Sequence, residues 1–142
     1  MVVTILTVIS SLQLFVCWLI VFMQTAVPGN KIYKGIVFGL AEAVAALLSG
    51  YLCTYMKDSS AYLTMATICF SANLCFYLLG DESGLATPLL FMSVFGMGAM
   101  LNIFYLMIEI RVPPETLGSS MVLVNTISVA ISSATPLAAY SQ

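Results

Sequence analysis

Charged side chains are scarce in this sequence, and histidine is absent. Among 142 residues there are four Lys or Arg, six Asp or Glu and no His. The absence of histidine removes the commonest general base and metal ligand. The sequence also lacks a basic patch for nucleic acid, a glycine-rich phosphate loop and a paired nucleophile and base. We therefore expect no enzyme activity, no catalytic residue, no metal, no cofactor and no nucleic-acid partner.

Hydrophobic residues dominate what remains, at 61% of the chain. They form five long apolar runs separated by short polar segments, at residues 2–27, 32–56, 61–79, 86–110 and 117–140. Each run is long enough to cross a bilayer as a helix, whereas the strands of a membrane barrel would alternate apolar and polar residues. The sequence predicts an all-α, polytopic transmembrane bundle of five spanning helices. We expect this bundle to form one transmembrane domain over residues 1–142. The protein would be an integral, multi-pass membrane protein in contact with the lipid bilayer.

The four cysteines all fall within the apolar runs, at positions 17, 53, 69 and 75. Their spacing matches no zinc or redox motif, so we expect them to pack as small hydrophobic side chains.

Glu42 lies near the middle of the second run. An ionised group at the bilayer centre costs about 2.5–3.5 kcal/mol, which makes an intramembrane carboxylate a candidate functional group. It could face a water-filled cavity and attract a cation, bind a proton or hold a gate. Equally, it could be a protonated structural residue that hydrogen-bonds a neighbouring helix. Beside it runs a ridge of small residues that would let another helix approach closely. We call the residues Gly35, Gly39, Ala43, Ala46 and Gly50 the small-residue ridge.

Polar residues also recur at helical spacing in the fourth and fifth runs. The fourth carries Asn102 and Tyr105 deep in the run, and Glu109 near its end. The fifth carries Asn125, Ser128 and Ser132, with Pro136 on the same stripe as a predicted kink. These stripes could form the wall of a solute cavity or bind helices to one another.

Gln13 in the first run and Asn73 in the third are isolated polar residues. We interpret both as packing contacts.

Five short motifs occur one after another along the chain. Asn30-Lys31-Ile32-Tyr33 precedes Leu40-Ala41-Glu42-Ala43-Val44-Ala45-Ala46. Later come Phe104 to Glu109, then Pro113-Pro114-Glu115, and finally Ser133-Ala134-Thr135-Pro136. In this order they resemble the C-terminal half of the major facilitator superfamily, and especially its organic cation/anion transporter branch.

That resemblance implies that the five runs correspond to helices seven to eleven of a twelve-helix carrier. Solute would then bind at the membrane midplane between two halves that rock alternately. The sequence departs from the family at the loop between its eighth and ninth helices, where Thr54 to Ser59 lack most of an expected Asp–Arg latch. Leu117 stands where an Arg is expected, and Ser128-Val129 where cation carriers often have an Asp.

These observations predict half, or a fragment, of a facilitator-type transporter for small organic solutes or ions. Glu42 would supply a charge or proton site, and Pro136 would permit bending. The other predicted substrate-binding residues are Asn102, Tyr105, Asn125, Ser128 and Ser132. A second membrane polypeptide, or a second copy of the chain, would complete the pathway. The alternative is a structural membrane subunit of a larger complex that has lost transport activity.

Overall fold

Helices make up the regular structure throughout the part of the chain that the computed structural model describes, residues 2–26, 30–79 and 84–133. The five helices are α1 (Val2–Ala26), α2 (Lys31–Tyr55), α3 (Asp58–Leu79), α4 (Ala86–Arg111) and α5 (Pro114–Ser132). No strand occurs within these ranges, so the prediction of an all-α fold is confirmed for them.

Three helix starts follow from local chemistry. Asn30 caps α2, because its side-chain oxygen accepts a hydrogen bond from the Ile32 backbone N–H at 2.9 Å. Helix α3 begins three residues before the apolar run, at Asp58, whose negative charge suits a helix N-terminus. Helix α5 begins at Pro114 rather than Leu117, since proline is well suited to the first helical position. The predicted end of the fifth run, at Tyr140, lies outside the described residues.

Three helices are long and apolar enough to cross a membrane: Ile32–Tyr55, Asp58–Leu79 and Ala86–Arg111. In α1, the shorter segment Thr7–Ile20 is also apolar. Five membrane spans remain a prediction. Of the three long helices α4 is the most enclosed, with 56% of its apolar stretch buried compared with 17% in α2 and in α3.

The chain divides into two compact units, and the boundaries between them fall in the last turn of α1 and inside α4. The first unit contains residues 1–23 and 104–142, and the second contains residues 24–103.

In the second unit, α4 packs against α2 and α3 through glycine. A Cβ atom on Gly96 would lie 2.9 Å from both the Cβ and the backbone nitrogen of Cys69 on α3. A Cβ atom on Gly98 would lie 3.2 Å from the Cβ of Ala45 on α2. Small residues therefore set how closely these helices approach.

In the first unit, α1 contacts α5 at a pair of serines. The hydroxyl oxygens of Ser11 and Ser128 are 3.4 Å apart, and both residues are buried. Phe104 and Ile108 on α4 and Val124 on α5 are at most 2% exposed and supply the apolar core of this unit.

Candidate functional site

Glu42 lies at the edge of the buried stripe of α2. Ala41, Ala45 and Ser49 form that stripe and are at most 4% exposed. Successive residues of an α-helix are rotated by about 100°. Glu42 is therefore turned away from Ala41, and its side chain is exposed on the surface of the chain. Its backbone nevertheless remains close to α4, because a Cβ atom on Gly98 would lie 3.9 Å from the Glu42 Cα.

The small-residue ridge occupies the side of α2 that faces away from the buried stripe. All five of its residues are exposed. Cβ atoms placed on Gly35, Gly39 or Gly50 would have no neighbouring atom within 4 Å. The close approach of α4 to α2 uses Ala45 instead. Among the described residues of the second unit, no other helix covers the ridge.

Exposed tyrosines near the two ends of α2 indicate how deep Glu42 would lie in a bilayer. Tyr33 is 59% exposed near one end, and Tyr51 and Tyr55 are 60% and 71% exposed near the other. Tyrosine is enriched where the hydrocarbon core meets the headgroups. Eighteen residues separate Tyr33 from Tyr51, which corresponds to about 27 Å of helix and approaches the thickness of that core. Glu42 lies midway between them. If α2 spans a bilayer, this is the depth at which a charge is most costly.

A side-chain hydrogen bond joins the predicted stripes of α4 and α5. The Tyr105 hydroxyl donates to Oδ1 of Asn125 at 3.2 Å. Tyr105 is 37% exposed and Asn125 is half-buried, so this pair lies at the surface of its unit. Asn102, one turn before Tyr105 on α4, is exposed as well. Two of the predicted substrate-binding residues, Tyr105 and Asn125, are thus brought together, whereas Glu42 and Asn102 belong to the other unit.

The remaining residues of the predicted α5 stripe lie in different surroundings. Ser128 is fully buried beside Ser11, and the Ser11 hydroxyl also donates to the Thr7 carbonyl at 2.7 Å. In this structure Ser128 contributes to a contact between helices, with no surface open to a solute. Ser132 is in the last turn of α5, but its side chain lies outside the described part of the structure, as does the whole of Pro136.

Asn73 makes the kind of packing contact that the sequence indicated. Its Oδ1 accepts a hydrogen bond from the buried Ser93 hydroxyl at 3.0 Å, and its Nδ2 donates to the Cys69 carbonyl at 2.8 Å. Asn73 thereby connects α3 to α4 through polar groups inside the second unit.

Gln13 differs from Asn73 in having no hydrogen-bond partner. Its side chain is 3% exposed, and neither Oε1 nor Nε2 is hydrogen-bonded within the described structure. Mutational data place the cost of burying such an unpaired amide at about 1–3 kcal/mol. The sequence shows two amides, Gln13 and Gln24, in this apolar run, but it contains no signal that identifies a partner for Gln13.

Taken separately, the polar groups described above are a carboxyl midway along the apolar helix α2, an amide–phenol pair between α4 and α5, and a buried amide on α1. Within the residues that the structure describes, no group of three or more His, Cys, Asp or Glu side chains is placed to hold a metal ion. No protein-family model, curated protein or solved structure matches this chain.

Proposed function

We propose that this protein is an integral, multi-pass membrane protein that forms one part of a facilitator-type carrier for small organic solutes or ions. It acts with a second membrane polypeptide or a second copy of itself. The position of Glu42 carries the proposal: an acidic side chain midway along an apolar helix, exposed on the surface of the chain.

An exposed carboxyl at this depth needs surroundings other than lipid. Facing acyl chains, an ionised group at the bilayer centre costs several kcal/mol, so such groups usually face water or another polypeptide. The uncovered small-residue ridge beside Glu42 has room for a closely packed helix. A partner that packs on this ridge would enclose Glu42 at the membrane midplane, where carriers of this kind bind their solutes.

Polar groups on α4 and α5 support the same function. Asn102 is exposed, and the Tyr105–Asn125 pair retains exposed surface. Hydrogen-bonding side chains in a mainly apolar wall are typical of sites that orient small molecules. In the proposed carrier Glu42 supplies the charge or proton site, and Asn102, Tyr105 and Asn125 are the residues of their respective units that hydrogen-bond the solute.

Solute uptake by the reconstituted assembly tests the proposal. The assembly is purified from its native membrane, placed in liposomes and offered a panel of radiolabelled organic cations and anions. We expect Glu42→Gln to lower uptake at least tenfold, because the charge at the midplane is removed. Glu109→Gln is the matched control, since Glu109 is also exposed but lies near the end of α4. Equal uptake by both variants and the unmodified protein would remove Glu42 from the mechanism.

A second candidate function is that of a structural membrane subunit without transport activity. The burial of Ser128 against Ser11 favours it, because part of the predicted polar stripe then binds helices together. In that case Glu42 would be hydrogen-bonded to a partner helix and would not meet solute. Glu42→Gln would then weaken assembly of the complex, and no member of the solute panel would be taken up.

A further inference from the structure

No basic residue of this chain lies close to Glu42 along the sequence. The four Lys and Arg residues are Lys31, Lys34, Lys57 and Arg111, and each lies in or next to the terminal turn of a helix. Lys34, the nearest of them along α2, precedes Glu42 by eight residues, or about 12 Å of helix. Side chains on a helix surface meet when they are three or four positions apart. Lys34 is therefore too far along α2 to pair with Glu42.

The residues that border Glu42 on α2 offer no side-chain hydrogen bond. Positions three and four away on either side are Phe38, Gly39, Ala45 and Ala46. Ala45 is buried beneath α4, whereas Gly39 and Ala46 belong to the small-residue ridge and are exposed. Glu42 thus stands between the packed side of α2 and the side that has room for another helix. A helix that packed on the ridge would border the carboxyl.

We propose that the small-residue ridge binds a membrane-spanning helix of a different polypeptide, and that a Lys or Arg midway along that helix pairs with Glu42. The ridge permits the close approach, since a Cβ atom on Gly35, Gly39 or Gly50 would meet no atom within 4 Å. The charge selects the partner, because ionisable groups inside a bilayer pair with groups of opposite sign. Hydrogen bonds between charged groups are also roughly twice as strong as those between neutral ones.

The depth of Glu42 specifies where the partner's base lies. Glu42 is nine residues from Tyr33 and nine from Tyr51, which corresponds to about 13 Å of helix in each direction. A matching helix therefore carries its Lys or Arg about nine residues from either end of its apolar span.

A second copy of this chain does not meet that requirement. Two copies that packed on the same ridge about a two-fold axis would bring one Glu42 toward the other. No helix of the chain carries a Lys or Arg away from its terminal turns, so neither copy supplies a base at that depth. Two neighbouring carboxyls also disfavour each other's ionisation. Charge complementarity therefore favours a different polypeptide.

The inference rests on the proposed function for the membrane placement of α2 and for the existence of a partner. It adds the chemistry of that partner, and it holds for a carrier and for a structural subunit alike. In a carrier, the partner's base would hold Glu42 when no solute is bound.

Binding of synthetic transmembrane peptides to the full chain in phosphatidylcholine vesicles tests the pairing. The probe is a leucine–alanine peptide of about 20 residues with one Lys at its centre, so that the base lies at the midplane whichever way the peptide inserts. One control peptide has Leu at the centre, and another has its Lys near one end. Energy transfer from a donor dye on the chain to an acceptor dye on the peptide measures the affinity.

We expect the central-Lys peptide to bind at least tenfold more tightly than either control peptide. Glu42→Gln should remove this preference, whereas Glu109→Gln should retain it, because Glu109 is also exposed but lies near the end of α4. Glu42→Lys should reverse the preference, toward a peptide with a central Glu. The comparison of peptides uses the unmodified chain, so it remains decisive even where a variant does not fold.

Equal binding of the central-Lys and central-Leu peptides would overturn the proposal, as would a preference for Lys that persists in Glu42→Gln. Energy transfer between donor-labelled and acceptor-labelled copies of the chain, if it depended on Glu42 and exceeded that with the central-Lys peptide, would also overturn it. A second copy would then be the occupant of the ridge.

Uptake measurements separate this inference from the proposed function. A Glu42-dependent preference for the central-Lys peptide, together with no uptake of any solute by the reconstituted assembly, would support the pairing and reject the carrier. Uptake that Glu42→Gln lowers in an intact assembly, together with no preference for the central-Lys peptide, would support the carrier and reject the pairing.

Discussion

Gly96 of α4 and Cys69 of α3 meet at backbone distance. A Cβ atom on Gly96 would lie 2.9 Å from the Cys69 nitrogen and 3.0 Å from its Cα, closer than unbonded atoms of these types normally come. Because the obstructing atoms include backbone, no side-chain rotation can make room. Gly96 is thus the position at which these two helices tolerate no added atom.

Gly96→Ala should lower the stability of the folded chain by about 1–3 kcal/mol, the usual cost of overpacking a tight contact. Gly50→Ala is the matched control, because Gly50 is exposed and a Cβ atom there has open space. Denaturant unfolding in detergent, followed by helical circular dichroism, measures both variants. A Gly96→Ala protein as stable as the unmodified chain would show that α3 and α4 do not pack at this distance.

Tyr105→Phe should cost about 0.6 kcal/mol, the average for hydrogen bonds between membrane helices. The change removes only the hydroxyl that donates to Asn125. A double-mutant cycle with Asn125→Ala isolates the energy of the pair. Tyr77→Phe serves as the control, since Tyr77 is 80% exposed. Coupling of zero between Tyr105 and Asn125 would indicate that their contact has no energetic weight.

A cysteine at position 128 should react slowly with polar maleimides, because Ser128 has no exposed surface. The measurement uses a background in which the four native cysteines are replaced. Ser133→Cys is the comparison, since Ser133 is exposed one residue beyond α5. We expect labelling at position 128 to be at least tenfold slower, and equal after denaturation. Rapid labelling in the folded protein would mean that water reaches this part of α5.

Gly39→Leu should leave the isolated chain as stable as before but weaken its association with the proposed partner. A Cβ atom at Gly39 has no neighbour within 4 Å, so the fold has room for the larger side chain. A helix packed on the small-residue ridge would lose that room. Leu63→Ile on α3 is the control, because Leu63 is also exposed but lies away from the ridge. Unchanged recovery of the intact assembly would place the partner elsewhere.

Composition was enough to predict the helices but not their packed faces. Long apolar runs bounded by polar segments can form little else in lipid, and the observed helices follow them closely. Their ends moved where caps act, as at Asn30 and Pro114. The face of each helix that packs against protein was harder to predict. Lipid is as apolar as a protein core, so the lipid-facing and protein-facing residues of a membrane helix are equally hydrophobic.

Glu42 and Ser128 illustrate that difficulty. Ala45 and Ser49 lie three and seven residues after Glu42, a spacing that puts all three near one line of a helix, yet Ala45 and Ser49 are buried while Glu42 is exposed. The spacing likewise aligned Ser128 with Asn125, although only Asn125 reaches the surface. In each case a neighbouring helix covers part of the stripe, and which part depends on contacts between segments distant in the sequence, such as Ser11 with Ser128.

The tyrosines at the two ends of α2 restrict how this helix could move in the proposed carrier. Sliding α2 along the membrane normal would pull the hydroxyl of Tyr33, or those of Tyr51 and Tyr55, into hydrocarbon. Rotation of α2 about its own axis leaves all three at their preferred depth. In the proposed carrier α2 would therefore rotate without moving along the membrane normal. Glu42 would change the direction in which its side chain points but would stay at the same depth in the bilayer.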